Sequence, residues 1–315
     1  MKVLITRKIP DAGIRLLKEH PELELDYRQG APLSKEELIK AIKDADAIIP
    51  VIPDQIDADI INAADNLKLI ATYSVGYDHI NLEAAKSKSV YVSNTPGDLT
   101  ESVAEHTIAL MMAVGKKIVQ GDKYVREGNY NYWDPMLYLG PQFMGKTLGI
   151  VGFGRIGQHV ADIARDGFNM RIVYSDPKVI PNSGAERLSL EELLETSDVI
   201  SLNCNLCPAT HHLIDEAQLK MMKPTAILIN TARGPVINEK ALMRALEEEW
   251  IEGAGLDVFE EEPNVPEELR DLKNVVLTPH IASATREARI EMATMAAKNV
   301  IEVLVNGNEP VNKVA

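Results

Sequence analysis

The chain is poor in cysteine, short of positive charge and without a long apolar run. Its two cysteines, Cys204 and Cys207, stand in a C-x-x-C spacing with His211 and His212 close behind, a pattern that elsewhere holds zinc or a redox disulfide. No second C-x-x-C exists, the pair directly follows an apolar strand-like run, and the helix entry that would activate a thiol is missing. Two reduced, structural thiols are the better reading, with no metal expected and a cytoplasmic address. No apolar run approaches membrane-spanning length, and Met1-Lys2-Val3-Leu4-Ile5-Thr6 offers no charged leader or apolar signal core. The expectation is a soluble, intracellular protein. Lys and Arg number 33 against 47 Asp and Glu, a net charge of −14. That acidity argues against nucleic acid or anionic membrane as a partner. An anionic substrate must then meet a local positive site, so one well-placed arginine carries great weight.

What is present is a long α/β pattern. At 315 residues the chain exceeds what one hydrophobic core fills, so two domains are expected. Short β-branched runs at Val3–Thr6, Leu23–Tyr27, Ala47–Val51, Leu69–Tyr73 and Val90–Val92 alternate with helical segments, which predicts a small parallel sheet. Thr100–Lys117 reads as a long apolar helix and Gly121–Gly145 as a connecting segment. Six further runs then follow, at Thr147–Val151, Arg171–Tyr174, Val199–Leu202, Ala226–Asn230, Ala254–Val258 and Val275–Thr278, as a doubly wound sheet requires. Capping boxes at Ser34, Ser189 and Asp215 open the intervening helices. A last helix, Thr285–Val305, ends at Asn306-Gly307; it lies outside the six-strand series and is free to return to the first sheet. The expected division is residues 1–99 with 284–315, and residues 100–283.

Gly152-Phe153-Gly154-Arg155-Ile156-Gly157 follows a strand and opens a helix, the context of a dinucleotide-binding turn. Gly152 permits the turn, Gly154 lets backbone approach a pyrophosphate, and Gly157 packs helix on strand. Asp176 ends the next strand and is placed to accept hydrogen bonds from the adenosine ribose hydroxyls. Singly, the glycines make an ordinary βα turn and Asp176 a turn before Pro177; together they point to a dinucleotide. The carboxylate repels a 2′-phosphate and no Arg follows closely, so NAD is favoured over NADP.

Reducing a 2-keto acid requires a cation for its carboxylate, a proton donor for its carbonyl and a partner for that donor. Arg233 in Asn230-Thr-Ala-Arg-Gly, Glu262 in the run Glu260-Glu-Glu-Pro263 and His280 in Thr278-Pro-His follow three successive strands. Alone, each has a plainer reading, as a surface arginine, a solvated acid and a structural histidine. Their shared position at the carboxyl edge of one sheet points to catalysis.

On these motifs the chain resembles, over essentially its full length, the D-isomer-specific 2-hydroxyacid dehydrogenases. The resemblance implies that Arg233 grips the substrate carboxylate and carbonyl, that His280 is the acid/base, and that Glu262 hydrogen-bonds His280 and raises its pKa. It also implies that Val75 and Gly76 offer backbone N–H groups to the substrate carboxylate, although a plain strand-to-turn glycine is the simpler reading there. Thr107, Thr231, Ala232 and Asp257 match positions lining the cofactor, and Pro208 flanks the adenosine. The implied architecture is two doubly wound parallel-sheet domains, a flavodoxin-like substrate domain and an inserted Rossmann NAD domain, forming a hinged cleft in a homodimer. Trp133-Asp134-Pro135 and Leu139-Gly140 look most like the glyoxylate and hydroxypyruvate reductase branch. The chain departs from that branch at Asp176, where several such reductases carry Arg and use NADP, and at Asn203, where relatives often have His. The alternatives are a D-lactate or branched D-2-hydroxyacid dehydrogenase and a non-catalytic NAD-sensing protein on the same scaffold.

Overall fold

A computed structural model describes residues 1–97, 99–181 and 183–315. By their contacts the residues divide into two compact units, Met1–Leu99 with Ala284–Ala315, and Thr100–Ser283. Among the described residues the strands form two parallel sheets, the fold class expected from the alternating pattern.

In the first unit, β1 (Lys2–Ile5), β2 (Glu24–Tyr27), β3 (Ala47–Ile49), β4 (Leu69–Ala71) and β5 (Tyr91–Ser93) pair in the order β2-β1-β3-β4-β5. Their continuous apolar character follows from burial on both faces: Val3, Leu4, Ile5, Ala47, Ile48 and Ile49 are fully buried. The helix Arg286–Leu304 belongs to this unit and packs on the helix Asp11–Lys18. A Cβ added at Gly13 would lie 2.4 Å from the Ala293 carbonyl oxygen, so only glycine admits that close crossing.

In the second unit, β6 (Thr147–Val151), β7 (Arg171–Ser175), β8 (Glu186–Arg187), β9 (Val199–Leu202), β10 (Ile227–Asn230), β11 (Gly253–Leu256) and β12 (Val275–Leu277) pair in the order β12-β11-β10-β9-β6-β7-β8. Alternate residues feed two apolar layers, Leu228 and Leu202 one, Ile227 and Ile229 the other. The capping boxes at Ser34, Ser189 and Asp215 are formed, and Thr285 caps the last helix.

Two elements differ from expectation. The segment read as the start of a connector holds a helix, Ile118–Arg126, none of whose residues is buried. Its few apolar residues are exposed and Gly121 interrupts it, so the segment reads with the Gly-rich connector that follows. The added strand β8 is two exposed residues long and has no pattern to read.

Candidate active site

The register of the second sheet aligns its strand ends. Ser175, Val151, Leu202, Asn230, Leu256 and Leu277 stand opposite one another across β7, β6, β9, β10, β11 and β12. The next residues along the chain, Asp176, Gly152, Asn203, Thr231, Asp257 and Thr278, therefore leave the sheet from one level. Five of these six lie in the motifs singled out above. Strand order reverses at β6, whose chain successor β7 lies on one side and β9 on the other, and a ligand of an open parallel sheet binds at such a point.

At that point Gly152 has φ +88°, and a Cβ there would meet the Cys204 backbone nitrogen at 2.5 Å. At Gly157 a Cβ would meet the Gly152 carbonyl oxygen at 2.4 Å, so helix and strand approach closely. Gly154, with nothing near its missing Cβ, precedes the helix Arg155–Phe168 and supplies no side-chain cap. The first N–H groups of that helix, at Arg155, Ile156 and Gly157, have no intrahelical acceptor. They suit a pyrophosphate.

Asp176 is held against this turn, its Oδ2 accepting the Phe153 N–H at 2.8 Å and its Oδ1 the Lys178 N–H at 2.8 Å. Each oxygen keeps a lone pair for a further donor. Arg187, from β8, donates to the backbone carbonyls of Asp176 and Pro177 at 2.9 and 3.3 Å, a cation eleven residues on that the sequence did not bring near. Pro208 lies exposed in the turn after β9. Nearby, burial pushes the Cys204 thiol up to about 11. The Thr210 hydroxyl, donating to the exposed Cys207, lowers that thiol, and both cysteines are free.

Three loops follow β10, β11 and β12, which are neighbours. After β10, the buried Asn230 side chain accepts from the Ala232 N–H at 3.0 Å and donates to the Arg233 carbonyl at 2.9 Å. This Asx arrangement curls the loop around its own first residue. Thr231 meets Thr107 hydroxyl to hydroxyl at 2.9 Å, tying the helix Leu99–Gly115 to the loop. Arg233 is half-buried and donates through Nη1 to the Ala232 carbonyl at 2.8 Å. Behind it, a Cβ on Gly234 would sit 1.8 Å from the Phe259 carbonyl oxygen, so the loops after β10 and β11 touch backbone to backbone.

After β11, Glu262 accepts the Phe259 N–H through Oε1 at 3.0 Å, and its Oε2 lies 2.7 Å from Nδ1 of His280. An ionised carboxylate only accepts, so Nδ1 carries the proton and Nε2 is left for another partner. His280 has φ +53°, rare for a residue with a Cβ. Its backbone N–H donates to the Asp257 carbonyl at 2.9 Å, and the Asp257 carboxylate takes the Ile281 and Ala282 N–H groups at 2.8 and 2.7 Å and the Thr278 hydroxyl at 2.6 Å. His106 lies 3.4 Å from the same carboxylate. Burial raises the Asp257 carboxyl, but the hydrogen bonds from His106, Thr278, Ile281 and Ala282 outweigh it and hold the group below its ordinary value. Asp257, read as a cofactor-lining residue, is 1% exposed and its carboxylate is engaged in anchoring the His280 loop.

In the first unit, the loop after β4 is pinned by the residues just past β5. The Ser74 carbonyl accepts the Thr95 N–H at 2.9 Å and the Val75 carbonyl the Asn94 side chain at 2.8 Å. Across a trans peptide N–H and C=O point in opposite directions, so the Val75 and Gly76 N–H groups face away from that side.

Sequence reasoning passed over Asn230, His106 and Glu239, and weighed His212 only as a neighbour of the C-x-x-C pair. Asn230 had a legible signal, a short amide just before the loop; the others become meaningful only once the strands are laid side by side.

Comparison with known proteins agrees with this geometry. Residues 108–282 match the family model described as D-isomer specific 2-hydroxyacid dehydrogenase, NAD binding domain. A glyoxylate reductase of Thermococcus onnurineus is 47% identical over 98% of this chain and 94% of its own. One of Korarchaeum cryptofilum is 49% identical over 95% and 92%. The crystal structure of the TT0316 protein from Thermus thermophilus superposes with a TM-score of 0.94 at 46% identity, each chain fully covered. With a dinucleotide turn and strand-end loops of this family's pattern, the chain belongs to the D-isomer-specific 2-hydroxyacid dehydrogenases and is an oxidoreductase that uses a nicotinamide cofactor on the CH–OH group of a 2-hydroxy acid.

Proposed function

We propose that the chain reduces glyoxylate or hydroxypyruvate to the corresponding 2-hydroxy acid with NADH, using His280 as proton donor, Glu262 as its partner and Arg233 as carboxylate anchor. The observation that carries this reading is the 2.7 Å contact between His280 Nδ1 and Glu262, on loops beside the one bearing Arg233. The names of the reductases nearly half identical to this chain support the substrate class.

A bound nicotinamide would supply hydride to the keto carbon. Glu262 fixes the tautomer and ring orientation of His280, so that Nε2 delivers a proton to the carbonyl oxygen. The Arg233 guanidinium pairs with the substrate carboxylate and opposes charge on the reacting oxygen, as a chain of net charge −14 requires. Val75 and Gly76 offer N–H donors for a substrate carboxylate. The open amides at Arg155, Ile156 and Gly157, the glycines Gly152 and Gly154, and Asp176 would hold the dinucleotide, with Thr107, Thr231, Ala232 and Pro208 along its length. Asp176 favours NAD because its charge opposes a 2′-phosphate. Residues 1–99 with 284–315 form the substrate-binding unit, and residues 100–283 the cofactor-binding unit, which also carries Arg233, Glu262 and His280.

A homodimer completes the reading. Ile118, Val125, Tyr132, Trp133, Met136 and Leu139 are each more than half exposed, a run of apolar side chains over residues 118–139 that a second copy would cover.

The test is initial rates with glyoxylate, hydroxypyruvate, pyruvate and a branched 2-keto acid, each with NADH and NADPH. Highest kcat/KM for one of the first two with NADH is expected. Tight NADH binding with no turnover of any keto acid would replace the enzyme with a cofactor sensor.

A further inference from the structure

Beside the catalytic loops lies a carboxylate pair that the mechanism above does not use. Glu239 opens the helix Glu239–Glu247 after β10, and Glu260 stands in the loop after β11. The two are cross-linked in both directions. The Glu239 N–H donates to Glu260 Oε2 at 3.1 Å, and the Glu260 N–H donates to Glu239 Oε1 at 3.2 Å. His212 Nε2 lies 2.7 Å from the other oxygen of Glu260, fixing that side chain from a third segment. Glu239 is 7% exposed, and its Oε2 is buried with no hydrogen-bond partner.

The location gives the clasp its meaning. Its first half belongs to the segment that begins at Arg233, and its second half adjoins Phe259, whose N–H holds Glu262. Between them the Gly234 and Phe259 backbones are in contact. Beyond the strand pairing and the Asn230 and Asp257 anchors, this junction ties the Arg233 segment directly to the loop that bears Glu262. Burial pushes the Glu239 carboxyl up, reinforced by the charges of Glu260 and Glu261, and a carboxyl kept at that cost is a poor choice for generic packing.

We infer that Glu239 and Glu260 are positioning residues for keto acid reduction, their crossed hydrogen bonds holding the carboxylate anchor and the acid/base pair in one frame. This rests on the catalytic roles proposed for Arg233, Glu262 and His280. A displacement of about 1 Å between such groups costs up to ~100-fold in rate.

The experiment measures wild type, Glu239→Ala, Glu239→Gln and Glu260→Ala with glyoxylate and NADH, together with amide hydrogen exchange over residues 233–236 and 259–262. Glu239→Ala is expected to lower kcat/KM for glyoxylate by roughly 10- to 100-fold with the KM for NADH unchanged, and to speed exchange in both segments. Glu239→Gln keeps an acceptor for the Glu260 N–H and should restore most of the loss. Wild-type kinetics in Glu239→Ala overturn the inference, as does an equal loss of NADH binding in the Ala and Gln variants. If Glu239→Ala fails to fold, Glu260→Ala decides, and wild-type kcat/KM in that variant overturns it. An inactive wild-type protein instead sinks the reductase reading, so the two failures are distinguishable.

Discussion

Glu262 holds His280 with one oxygen and its own loop with the other, Oε2 lying 2.7 Å from Nδ1 of His280 while Oε1 accepts the Phe259 N–H at 3.0 Å. The carboxylate is thereby fixed before it fixes the imidazole. Removing the imidazole removes the proton donor while leaving the dinucleotide turn untouched. His280→Ala should lower kcat by about 10²- to 10⁴-fold at saturating glyoxylate and NADH, with NADH binding unchanged by fluorescence titration. Turnover at the wild-type level would take His280 out of the reaction.

Arg233 is asked both to anchor the ground-state carboxylate and to oppose charge on the reacting oxygen. Losing it should therefore raise KM and lower kcat together. For Arg233→Ala a fall of at least ~100-fold in kcat/KM is expected, since charge-assisted hydrogen bonds contribute about 1.5–3 kcal/mol each. A change confined to KM would restrict the guanidinium to binding.

Asp176 bears on cofactor choice through its charge. Asp176→Asn keeps an acceptor for the Phe153 N–H but removes the repulsion toward a 2′-phosphate. The ratio of kcat/KM for NADPH over NADH should rise by about tenfold, as a like-charge term near 1–2 kcal/mol implies. An unmoved ratio would assign discrimination elsewhere, with Arg187 the first residue to examine.

Much of this was legible in the chain. Gly152, Asp176, Arg233, Glu262 and His280 each sit at a fixed short distance beyond an apolar run, so strand-finding alone brought them to one edge. Glu260 was not legible, because three successive glutamates read as a solvated stretch. In the structure Glu260 is spent on His212 and the Glu239 N–H, and Glu262 on Phe259 and His280. Arg187 escaped because the exposed two-residue β8 that returns it to Asp176 carries no apolar period. The helix Ile118–Arg126 escaped because Gly121 and the polar residues around it read as part of the connector.

Asp257 links the site to acid stability. Its folded-state carboxyl is held below the ordinary value by four donors, so its contribution is fully present above the unfolded value of about 3.9. That contribution is lost as pH falls through the lower folded value. The difference in unfolding free energy between wild type and Asp257→Asn should be constant from neutral pH to about 5 and shrink below ~4, as followed by urea titration at each pH. A difference that widened on acidification would mean the carboxyl is not stabilised in its charged form.

The level row of strand ends has a consequence for how such a protein can change. Each functional residue sits at a set count past that row, and a strand advances about 3.3 Å per residue while alternating its faces. Inserting one residue inside β10 would carry Arg233 a full step outward or turn its strand over, whereas the same insertion beyond Gly234 leaves the count intact. The sheet thus behaves as a ruler that tolerates no added graduations, and length variation among working descendants is confined to the far side of each marked residue.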